Sequence, residues 1–146
     1  MTPYHLLNER EKINKLTLVA SKKYTILHYI IAIVWLVNGL FCKVLNLVPR
    51  HQAIVARIMG PENSRPITLM IGLSEIAMSV WILSSIKPKA NAIVQIGVVA
   101  TMNIIEFMVA PDLLLWGRLN ILFASLFMLL IYFNEFVWNR KIVQHV

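Results

Sequence analysis

The chain has 146 residues, 58% of them hydrophobic and only 14% charged. Soluble domains carry roughly a quarter charged residues, so this composition excludes an ordinary soluble fold and points to a single-domain integral membrane protein. The net charge of +7 then reflects Lys and Arg flanking membrane spans and meeting anionic lipid; no basic run interleaved with aromatics suggests nucleic acid.

The N-terminal stretch is polar and mixed in charge, with Arg10, Lys12, Lys15, Lys22 and Lys23. The apolar run begins only after it, and no small-residue cleavage site follows, so no cleavable signal peptide is expected. "LLNEREKINKLTLVASKK" reads as a helix on the membrane surface. A spanning helix needs roughly 20 mostly apolar residues. The first, "YTILHYIIAIVWLVNGLF", covers about residues 24–42. "CKVLNLVPRHQAIVARIMGPENSRP" follows and is too polar to span. Within it Ile54, Val55, Ile58 and Met59 share one helical face, with Arg50 and Arg57 on the other. Pro49 suits a first turn and Gly60-Pro61 a stop, which predicts a short interfacial amphipathic helix.

Three further spans are expected at about 66–86, 90–110 and 113–133. Lys87-Pro88-Lys89 leaves room only for a tight hairpin between the first two of these. Pro111-Asp112 separates the last two, with Asp112 as an N-cap. The predicted fold class is all-α: a membrane four-helix up-down bundle with an interfacial helix between helices 1 and 2. The N-terminal segment, Lys87, Lys89, Arg140 and Lys141 outnumber Lys43, Arg50, Arg57, Arg65 and Arg118 on the other side, which puts both termini in the cytoplasm.

Up-down topology brings the end of helix 1, the start of helix 2, the end of helix 3 and the start of helix 4 to the non-cytoplasmic side. Asn38, Lys43, Glu75, Asn103, Glu106, Arg118 and Asn120 all fall in that half. Glu75 lies roughly 13 Å into its helix at 1.5 Å per residue. The opposite half holds His28, Gln95, Ser84 and Ser85, and no carboxylate is expected there. Intramembrane charges are costly, so they face the bundle interior or a watery cavity and pair with one another. Thr68, Gly72, Glu75 and Ser79 form one small, polar helix face suited to close packing. A polar pocket follows, with Glu75 as floor and Glu106–Arg118 as its salt bridge. Asn38 and Asn103 would bind a ligand, and His51 would help cover it. The same charges could instead simply lock helices together.

Cys42 is the one cysteine, which excludes an intrachain disulfide, a CxxC pair and a cysteine zinc site. His28 has no second His at ligand spacing, so no metal or cofactor is expected. Trp35, Trp81, Trp116 and Trp138 read as packing or interfacial anchors. Gly39, Gly72, Gly97 and Gly117 read as close helix contacts.

"IVWLVNGLFCKVLNLVPRHQAIVARIMG", "IGLSEIAMSVWIL" and "APDLLLWGRLN", in order from Ile33 to Asn120, resemble the DoxX-like family of small four-helix membrane proteins. That family has a polar residue late in the first helix, a Glu in the second and a polar third-to-fourth junction. These map onto Asn38, Glu75 and Asp112–Arg118. The resemblance implies a multi-pass protein of a bacterial inner membrane. The family's best-known relatives are membrane subunits of thiosulfate:quinone oxidoreductase, and others accompany oxidoreductases or act in assembly. A membrane subunit, partner or homo-oligomer within a larger complex is therefore expected. The alternative is an enzyme acting on a small lipophilic or quinone-like substrate, with Glu75 as general acid or base and Glu106 and Arg118 beside it. The lone Cys42 argues against thiol–disulfide chemistry in either case.

Overall fold

The computed structural model describes residues 3–114 and 117–139. Helix α1 (Pro3–Leu36) passes without a break into a π-helical segment (Val37–Val44). Next come α2 (Arg50–Met59), α3 (Ser64–Ser84) and α4 (Pro88–Val109). Two 3₁₀ turns (Pro111–Leu113 and Gly117–Leu119) lead to α5 (Asn120–Tyr132), which ends in a second π-helical segment (Phe133–Trp138). Trp116 lies outside the described residues.

Among the described residues, four helices are long and apolar enough to cross a bilayer: Asn8–Val44, Ser64–Ser84, Pro88–Val109 and Asn120–Trp138. Many of the side chains on their outward faces are large and apolar, as with Met108 at 76% and Leu126 at 62% exposure. Such faces are stable only against lipid. The protein is an all-α, multi-pass membrane bundle.

The N-terminal stretch is helical but is no separate surface helix. It continues straight into the first span, because no Gly or Pro interrupts the chain between Pro3 and Gly39. At 1.5 Å per residue the apolar part and its extension reach about 55 Å, beyond the ~30 Å of hydrocarbon.

The fourth helix starts at Asn120, not at Leu113. Pro111 opens a 3₁₀ turn, and Gly117 takes φ +54°, a left-handed conformation that stops an α-helix. Asp112 therefore caps nothing in α5. The later start also shifts the helix end, bringing Asn134 and Glu135 into the bundle at 4% and 5% exposure. The half expected to lack carboxylates thus contains one. Asn139 Nδ2 donates to Glu135 Oε1 at 2.7 Å.

The hairpin between α3 and α4 is tight, as its sequence requires. Ser85 and Lys87 both take positive φ, and Pro88 stands in the first turn of α4. Beside this hairpin the core is closely packed, with Ile31, Ala32, Trp35, Ile82, Ala92 and Ile131 buried together. Ser79 Oγ donates to the Ala32 carbonyl at 2.8 Å across α1 and α3. Toward the α2 end the helices separate, and the functional candidates lie there.

Candidate functional site

The expected polar face of α3 is its buried face: Thr68 is 0% exposed, and Gly72, Glu75 and Ser79 are buried with it. This face lies against the π-helical end of α1. A Cβ on Gly39 would come within 2.6 Å of the Gly72 carbonyl oxygen, and one on Gly72 within 2.9 Å of the Gly39 oxygen. Two glycines therefore let the two backbones touch. Gly97 has open space around it and serves no such contact. Gly117 is required by its positive φ rather than by packing.

The close approach places Lys43 beside Glu75. Nζ of Lys43 donates to Oε1 at 2.8 Å and to Oε2 at 2.7 Å, and both residues are 4% exposed. Helix side chains lean toward their own N-terminus. In antiparallel α1 and α3, Lys43 thus leans into the bundle while Glu75 leans toward the α2 end. The sequence placed Lys43 on this side but did not name it as the partner of Glu75. The available signal was that it is the one cation at the end of the first span. Arg65, in the first turn of α3, donates to the Lys43 and Val44 carbonyls at 2.8 Å each. It thereby satisfies carbonyls left open at the end of the first helix.

Around this pair is a cavity of about 470 Å³. Glu75, Glu106, Asn38, His51 and Asn103 all line it, with Lys43 and Arg50. Trp35, Val99, Phe123 and Phe127 form apolar wall. Trp35, about two turns from Lys43 along α1, lines the cavity as well, and its Nε1 donates to Gln95 Oε1 at 2.8 Å. Gln95 in turn donates to Asn91.

Helices α4 and α5 are tied at the cavity by Asn120 Nδ2 donating to Asn103 Oδ1 at 3.0 Å. The expected Glu106–Arg118 bridge lies outside the described residues, because only the backbone of Arg118 is described, in the Gly117–Leu119 turn.

Helix α2 covers one side of the cavity. Ile54 and Val55 anchor it at 4% and 8% exposure. Gly60, at φ +89°, ends it. Arg57 does point outward, where it pairs with Asp112 in the α4–α5 turn. This hydrogen bond holds the Asp112 carboxyl below its ordinary value. Arg50 does not share that outward face as expected: it lines the cavity, with Nε buried and no partner among the described residues. Burial lowers the His51 pKa to about 4, with help from the Lys43 and Arg50 charges. The ring is therefore neutral at neutral pH and can both donate and accept.

The arrangement can hold a polar group between cations, carboxylates and amides while apolar walls surround the rest of a ligand. Neither a comparison with curated proteins nor one with solved structures gave a match. The family model of the DoxX-like family matches residues 32–133, a span that contains the glycine contact, the Lys43–Glu75 pair, α2 and the cavity. By that match the chain belongs to the DoxX-like family.

Proposed function

We propose that this membrane protein is a binding subunit whose cavity at the α2 end holds the head of a small lipophilic molecule, and that it acts with a larger, oxidoreductase-type complex. The observation that carries this reading is that the buried Lys43–Glu75 pair forms part of a cavity wall. A pair serving only to lock helices would be packed on all sides. An ammonium has three donors, and Glu75 takes two of those on Lys43, leaving one for a ligand atom. Asn38, Asn103 and His51 supply further donors and acceptors, and Glu106 adds a second carboxylate to the lining. A quinone-like ring has the required polar edge and apolar body. The resemblance to membrane subunits of oxidoreductases supports the partner, and both termini are assigned to the cytoplasmic side by the Lys and Arg bias.

In the alternative reading the protein is itself an enzyme, with Glu75 as general acid or base. Both oxygens of Glu75 already accept from Lys43, so positioning Lys43 fits this carboxylate better than moving a proton.

The test is co-purification. Ala124 lines the cavity and is 8% exposed, so Ala124→Phe should place a ring inside it and obstruct a ligand. Organic extracts of the wild-type protein should contain a lipophilic species that the variant lacks at equal yield and melting temperature. Identical extracts would sink the proposal.

A further inference from the structure

A second hollow, of about 210 Å³, opens between α2, α3 and α4. It shares Lys43, His51, Ile54, Met102 and Glu106 with the main cavity, so the two adjoin across these side chains. Its polarity is graded. Lys43, His51 and Glu106 stand at the shared end, while Ile58, Met59, Ile67 and Ile105 line the rest. Ile58, Met59 and Ile105 are 37%, 55% and 40% exposed, so this end faces outward. A polar chamber beside an apolar groove that reaches the lipid-facing surface matches a molecule with a head and a tail.

The charges in the chamber select the head. Among the described side chains, the cations Lys43 and Arg50 face the carboxylates Glu75 and Glu106, and His51 is neutral. This balance leaves a full charge on a ligand uncompensated in a low-dielectric site. At the same time Arg50 Nε is a buried donor without an acceptor, and Lys43 has its third N–H. Both call for acceptor oxygens.

We infer that the ligand is an uncharged amphiphile with carbonyl-type acceptor oxygens, whose single apolar chain leaves through the groove between α2, α3 and α4. This rests on the cavity being a ligand site, and it adds the ligand's charge and the route of its tail.

The test is photolabelling of the full chain in lipid nanodiscs. The probe is a long-chain methyl ketone with a diazirine midway along its chain. A second probe has the same chain and a carboxylate head, and a third has the ketone head with the diazirine beside it. Peptide mapping by mass spectrometry should place the first label on Met59, Met102 or Ile105, competed by unlabelled ketone. Ile58→Trp should reduce it about tenfold, the effect of losing ~1.4 kcal/mol of binding, with the melting temperature unchanged. Should that variant fold poorly, Ile105→Phe makes the same test.

Competed labelling of Trp35 or Phe127 by the third probe, without groove labelling by the first, would overturn the tail route and leave the cavity reading standing. Groove labelling as strong with the carboxylate probe would overturn the uncharged head. Uncompeted label spread over lipid-facing residues such as Met108 and Leu126, with none in the cavity, would overturn both readings.

Discussion

Lys43 and Glu75 come from helices separated by the interfacial segment, yet the Lys43 ammonium meets both carboxylate oxygens of Glu75, at 2.8 and 2.7 Å, with each residue 4% exposed. Removing one partner leaves the other charged and buried, which costs about 3–5 kcal/mol. Glu75→Gln and Lys43→Met should therefore each lower the melting temperature in detergent. The double variant should melt higher than either. Additive losses would show that the pair is not formed.

The glycines separate by environment. Gly39→Ala would drive a methyl against the Gly72 carbonyl and the Glu75 Cβ. Backbone in contact cannot move aside cheaply, so a loss of about 1–3 kcal/mol is expected. Gly97→Ala meets nothing within 4 Å and should stabilise the helix by up to about 1 kcal/mol. Thermal unfolding of the two variants side by side checks the contrast.

His51 makes stability depend on pH. Its folded pKa is about 4, against an ordinary 6.5. Between these values the unfolded chain binds more protons. The contribution of a neutral His51 is thus complete above pH 6.5 and is lost as pH falls toward 4. Partial exposure reduces the full linkage value, leaving about 1–3 kcal/mol. Melting of wild type and His51→Gln from pH 7 to pH 4 should converge, with the wild type losing more.

Asp112 carries the opposite partner. Its carboxyl is held below the ordinary 3.8 by the Arg57 hydrogen bond. Its contribution is therefore complete above pH 3.8 and is lost as pH falls below that through the folded value. The pair is exposed, so global stability should hardly change in Asp112→Asn. Hydrogen exchange in Arg50–Met59 should rise, because this latch ties α2 to the α4–α5 turn. Unchanged exchange would mean that Ile54 and Val55 alone seat the helix.

Orientation is checked with reporters. A fusion after Val146 that is active only in the cytoplasm, and one near Asn63 that is active only outside it, are the expected pair. The reverse pattern would invert the bundle.

Some features were legible in the sequence because they depend on local properties. Apolar length produced four spans, period-3.6 patterning produced α2, and the 4, 3, 4 spacing of Thr68, Gly72, Glu75 and Ser79 gave the buried face of α3. Up-down topology gathered Glu75, Glu106, Asn38 and Asn103 at one end, with His51 above them, and all five line one cavity. What required the tertiary structure was partner choice. Several cations were available to Glu75, and the Gly39–Gly72 contact, together with the lean of both side chains, selected Lys43. Asp112 read as a cap until Gly117 delayed α5 and left its carboxyl to Arg57. Arg50 and Arg57 share a polar face by periodicity, but Arg50 stands at the cavity and Arg57 at the surface. Spacing along one helix fixes which face a residue occupies, and only the packing of other helices decides what that face meets.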